Sequence, residues 1–178
     1  SARAQTSLAG YVRLGIEHIL SGWDHLAFVT ALLLLASTLG EVAALVTAFT
    51  VAHSVTLALA TLGLVRPDPV AVDALIGFSI ALVAAENAWI LGGRGRAVPL
   101  AVGAGLAGLA LAPGSAVPRI GLLGLALFSL CHFGLLQRAR EPARLRVAVA
   151  FAFGLVHGFG FAGVLAELEL PAQQLAAA

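Results

Sequence analysis

Long apolar runs follow one another along this chain, and the short segments between them hold most of its charge. A helix rises about 1.5 Å per residue, so some 20 apolar residues cross the roughly 30 Å hydrocarbon layer of a bilayer. Of the 178 residues, 60% are hydrophobic and 11% charged, and the mean hydropathy is +1.00. A water-soluble domain is typically about 45–50% apolar and about 25% charged. Ten basic and nine acidic residues cannot coat a globule this apolar. That excludes a soluble fold, and the same arithmetic excludes a disordered chain. The pattern predicts an all-α, polytopic helical membrane bundle. Residues 1–178 form one transmembrane domain with six spans, near 10–39, 41–62, 71–91, 97–112, 119–137 and 146–165.

The first span is the irregular one. Its apolar centre, Leu26 to Leu39, is short, so GIEHILSGWDH must supply the first turns, as continuous helix or as a half-helix hinged at Gly22. At the other end, Pro171-Ala172-Gln173-Gln174 reads as the start of another helix. A C-terminal seventh span is therefore an open alternative to six.

All ten basic residues are arginine. Arg94, Arg96, Arg138, Arg140, Arg144 and Arg146 fall in loops on one side, against Arg3, Arg66 and Arg119 on the other, with Arg13 borderline. The excess predicts a cytoplasmic location for the first side and an N-terminus outside, as expected in a bacterial inner membrane. A net charge of +1 without a basic and aromatic ladder offers nothing to nucleic acid. Cys131 is the only cysteine, which excludes an intrachain disulfide and a paired-thiol metal site. No phosphate-binding loop, dinucleotide fingerprint, HExxH pair or GxSxG elbow is present.

The informative residues are polar groups set in hydrocarbon, where an unpaired one costs several kcal/mol. In GIEHILSGWDHL, His18 and His25 are seven apart, nearly two helical turns, and Asp24 can orient an imidazole or ligate directly. Glu17 borders this cluster. His53 lies deep in span two with Thr50 and Ser54 on or beside its face, where each hydroxyl taken singly could equally bond back to its own helix. Span three carries Ser79 and Glu86 in line, Asn87 beside them, and Asp73 near its outer mouth. Glu86 has to be protonated, paired or bound to a cation. His157 sits near mid-membrane in span six among Gly154, Gly158, Gly160 and Gly163, which suit close helix packing, bending or approach to a ligand. His132 lies close to the inner arginines and reads as a cap on the last carbonyls of its helix.

The stretches GIEHILSGWDHLAF, FTVAHSVTLALATLG, VDALIGFSIALVAAEN and VAFAFGLVHGFGFAGVLAELELP together resemble the HupE/UreJ membrane proteins, associated with nickel hydrogenase and urease maturation. The resemblance implies a multi-helix integral membrane protein, a secondary importer of nickel or a similar divalent metal, with nickel-enzyme maturation proteins as partners. His18, Asp24 and His25 look like the H-x5-DH signature of nickel and cobalt permeases. His53, Glu86 and His157 match further polar positions of the family, whereas Asp73 stands where a glutamate is more usual.

The expected function is secondary transport of a divalent transition metal, nickel foremost, through His18, Asp24, His25, His53, Glu86 and His157. Glu17, Thr50, Ser54, Asp73, Ser79 and Asn87 would support that site or its pathway. Imidazole and carboxylate suit nickel, cobalt, zinc and copper alike, so the ligands do not choose among them. Two alternatives stay open. One is a membrane-embedded zinc-dependent hydrolase, with a histidine-held ion activating water. The other is a non-transporting accessory subunit of metalloenzyme maturation.

Overall fold

The computed structural model describes residues 22–34 and 36–167, with side chains as far as Gly160, and the isolated positions 13, 16 and 20. Glu17, His18 and the chain beyond Glu167, where the start of a seventh helix is expected, lie outside the described residues. Among the described residues six helices follow in order: α1 (Trp23–Leu33), α2 (Leu39–Thr61), α3 (Pro69–Leu91), α4 (Ala97–Leu111), α5 (Arg119–Arg138) and α6 (Pro142–Glu167).

Local chemistry sets the boundaries. Gly22 is extended, with ψ 91°, so α1 starts after this glycine, which favours the hinged alternative over a continuous helix. Thr38 caps α2 by accepting from the Glu41 backbone N–H at 3.1 Å, while Glu41 Oε2 accepts from the Ser37 N–H at 2.7 Å. Asp68 caps α3 through the Val70 N–H at 3.2 Å, ahead of Pro69, which already lacks the N–H that a first turn leaves unbonded. The turn after α3 uses left-handed Gly93 (φ 82°) and Arg94 (φ 60°), and Trp89 Nε1 clamps it by donating to the Gly95 carbonyl at 2.8 Å. Pro142 opens α6 four residues earlier than the apolar run suggests, and so carries Arg144 and Arg146 onto the helix.

Among the described residues four helices are long and apolar enough to cross a membrane: α2, α3, α5 and α6 over Pro142–Gly160. Four of the six expected spans are thus long enough among the described residues. The start of the expected first span lies largely outside them, and α1 and α4 are shorter apolar helices of 11 and 15 residues. The extended backbone at Gly22 opens the first late, and the turns at Gly92-Gly93 and Pro113-Gly114 bracket the second. Outward-facing leucines and valines, among them Val51, Val55, Leu123 and Leu127, fit a lipid environment.

The most extensive contact joins α2 to α6, and α3 packs on both α6 and α1. Glycine makes the α2–α6 approach close. A Cβ on Gly154 would lie 2.6 Å from the Phe49 carbonyl oxygen and 2.9 Å from Ala52 Cβ, and one on Gly158 would overlap the His53 carbonyl and Thr56 Oγ1. Of the three roles open to these glycines, close helix packing is the one observed. Gly154→Ala is therefore expected to lower stability by about 1–3 kcal/mol, because backbone has to move. Gly105→Ala, into open space on α4, should leave it unchanged. Thermal unfolding in detergent checks this, and equal midpoints for the two variants would contradict the close approach.

Candidate functional site: two buried polar layers

The first layer is made of three imidazoles from three helices. His25 of α1 lies with its ring centroid 5.5 Å from that of His53 in α2 and 5.5 Å from that of His157 in α6, edge-on to both. Two imidazoles sharing one tetrahedral ion, with metal–nitrogen distances near 2.0–2.1 Å, would have centroids about 5 Å apart. The spacing is thus close to that of a coordinating pair, although among the described residues no three His, Cys, Asp or Glu side chains already form a group that could hold a metal ion.

Hydrogen bonds orient two of the rings. His157 Nδ1 donates to the Phe153 carbonyl at 2.9 Å, since a carbonyl can only accept. Its Nε2 is then the lone-pair nitrogen, fully buried and without a hydrogen-bond partner among the described residues. His25 Nδ1 lies 3.2 Å from Asp24 Oδ1, the carboxylate–imidazole arrangement that fixes a ring for ligation through Nε2. Phe28 covers His157 at a 4.8 Å centroid distance, and Phe49 stacks on His53 at 5.9 Å. On the α1–α2 side, a cavity of about 260 Å³ is lined by His25, Thr50 and His53 and by apolar side chains including Val29, Leu33 and Val46.

The second layer is an ion-paired triad. Glu86 of α3, 3% exposed, accepts from His132 Nε2 of α5 at 2.8 Å on Oε2 and from Arg146 Nε of α6 at 2.8 Å on Oε1. Arg146 and His157 share α6 and are eleven residues apart, about 16 Å of helical rise. Glu86 is therefore placed away from the histidine layer. Its carboxylate is satisfied by two cationic or polar donors rather than aligned with a serine path. Between the layers, Phe153 meets Phe28, Phe78 and Phe128 at centroid distances of 5.9, 6.2 and 6.3 Å, and Phe128 stacks on His132.

The other expected residues separate from these layers. Ser79 Oγ donates to the Ile76 carbonyl at 2.7 Å, and Ser54 Oγ to the Thr50 carbonyl at 2.8 Å, the back-bonding a hydroxyl makes inside a helix. Asn87 Nδ2 donates to the Ala31 carbonyl at 2.8 Å and ties α3 to α1. Asp73 is exposed on α3. His132 does not cap its helix; it partners Glu86. The sequence signal for that pairing was present but weak: an imidazole, a carboxylate and an arginine at similar distances from the arginine-rich ends of three spans.

This fold, with long apolar helices around buried His and Glu side chains that pair with the partly exposed Asp24 and Arg146, is that of a multi-pass helical membrane protein. A family model described as HupE / UreJ protein matches residues 1–127 and 120–178, and the chain belongs to that family. No curated protein and no solved structure matches it.

The triad makes a stability prediction. Glu86→Leu removes the carboxylate that ties α3 to α5 and α6 and leaves the buried His132 imidazole without its partner, which should cost about 3–5 kcal/mol. Replacing all three members, as Glu86→Leu, His132→Leu and Arg146→Met, should recover most of that loss. Thermal unfolding of both variants in detergent checks it. A single variant as stable as the parent would show that the triad is not formed.

Proposed function

We propose that the chain is a secondary transporter of a divalent transition metal, with nickel the leading cargo, and that the ion is held at the His25, His53 and His157 layer. The observation that carries the reading is the meeting of imidazoles from three helices, His25 with its ring centroid 5.5 Å from those of both His53 and His157, with the buried Nε2 of His157 left without a hydrogen-bond partner among the described residues. Asp24 orients His25 and supplies negative charge beside the site. His18 is proposed as a further ligand from the preceding segment, and Glu17 and Thr50 as lining groups. A polar layer at Glu86 nearer the arginine-rich end supports a path rather than an isolated site, and six passes with an external N-terminus complete the proposed topology. Two positive charges entering along a potential of ~100 mV gain about 4.6 kcal/mol, enough to drive uptake without a nucleotide site. Membership of the HupE / UreJ family supports the same reading.

The hydrolase alternative draws on one specific feature, the cavity that opens beside His25 and His53. It requires a bound zinc ion to survive turnover, whereas a transporter's ion exchanges with the medium.

Purified protein is expected to bind about one Ni²⁺ or Zn²⁺ per chain by calorimetry. His25→Ala and His157→Ala should each weaken that binding at least tenfold. Binding should also weaken as pH falls into the range where imidazoles protonate, because protons compete for the ligating nitrogens. Reconstituted vesicles should accumulate radiolabelled nickel, and His157→Ala vesicles should not. Undiminished binding and uptake in both variants would contradict the assignment.

A further inference from the structure

We infer that Glu86 is a second, latent cation site, and that the guanidinium of Arg146 is the built-in cation that plugs it. Arg146 Nε holds Glu86 Oε1 at 2.8 Å, while His132 Nε2 holds the other oxygen at 2.8 Å and so fixes the carboxylate in place. The guanidinium thus stands where a mobile cation would meet the carboxylate.

Space on both sides of Arg146 fits this role. On the protein side, a crevice of about 10 Å³ is lined by Glu86, Asn87 and Arg146, room for about one water-sized body. On the other, a vestibule of about 410 Å³ at the start of α6 is lined by Arg144 and Arg146, with Glu41 among the facing residues of α2. Arg146 therefore forms the wall between the carboxylate and an open space that contains a second carboxylate, Glu41, able to receive the displaced guanidinium. Arg146 lies on the second turn of α6, and Val149 and Ala150 behind it anchor the helix in the bundle. The ligand class is a small metal cation, because the site offers one buried carboxylate beside a crevice with room for about one water, and its divalent charge follows from the transport reading.

For its place in a pathway this inference rests on the transport reading. An ion leaving the histidine layer would exchange with Arg146 at Glu86, and the ion pair would close again behind it. Its test does not depend on transport. The number of Ni²⁺ or Zn²⁺ ions bound per chain is measured by calorimetry on the purified full chain and on Arg146→Gln, with circular dichroism and size-exclusion chromatography to establish folding. The variant is expected to bind one ion more than the parent, and Glu86→Gln added to it should remove that extra ion. The readout is a difference, so a histidine layer that binds nothing would sink the transport reading and leave this comparison intact. Equal stoichiometry in parent and folded Arg146→Gln overturns the inference. If Arg146→Gln does not fold, Arg146→Lys decides: a point charge on a flexible stem is easier to displace. The extra ion should then appear at higher metal concentration, and its absence overturns the inference.

Discussion

Gly154 and Gly158 allow α6 to lie with its backbone against the carbonyl groups of Phe49 and His53 on α2. In a bilayer the lipid tails are as apolar as leucine side chains, so helices gain little from burying apolar surface against each other. Close contact and polar links must hold them instead. The glycine surface supplies the contact. It also fixes depth, since His157 lies one residue before Gly158 and His53 contributes the carbonyl that Gly158 meets. The imidazoles of α2 and α6 therefore reach the same level, where His25 of α1 lies against both.

Two polar layers then share one bundle, separated by about 16 Å along α6 and by a group of phenylalanines around Phe153. They solve the cost of burial differently. At Glu86, opposite charges and donors from α3, α5 and α6 satisfy the carboxylate within the protein. At His157, the ring is tethered through one nitrogen and its other nitrogen faces an aromatic and imidazole environment. The first arrangement links three helices by ion pairs, and the second leaves a buried lone pair on a ring that packs beside His25 and Phe28. A metal path through the protein would have to use both, resting at the histidines and opening the ion pair.

Much of this was legible in the residues. Apolar run lengths and turn signals indicate the helices, and the depths of His25, His53 and His157 along their spans point to the meeting of rings that the structure shows. What stayed hidden depended on pairings across the bundle. Glu86 lies 46 residues from His132 and 60 from Arg146, and no local spacing links them. Arg146 read as a loop residue because the charged stretch QRAREPARLR looks like a hinge, whereas Pro142 starts a helix inside it. Alignment of Ser79 with Glu86 suggested a shared polar stripe, but a serine in a helix can spend its hydroxyl on a carbonyl of its own turn, as Ser79 does on Ile76. The ends of α4 were legible, since the turns at Gly92-Gly93 and Pro113-Gly114 mark the expected span 97–112 and the helix runs Ala97–Leu111. Hydropathy does not reveal that α1 opens only after the extended Gly22.

The central claim is that imidazoles of the first layer hold a divalent transition metal. X-ray absorption spectroscopy at the nickel edge, on purified protein loaded with one equivalent of Ni²⁺, tests it most directly. The account predicts a first shell containing at least two imidazole nitrogens, with their outer-ring scattering, and loss of that signature in the His25→Ala, His157→Ala double variant. A first shell of oxygen alone, or an imidazole signature that survives in the double variant, would contradict it.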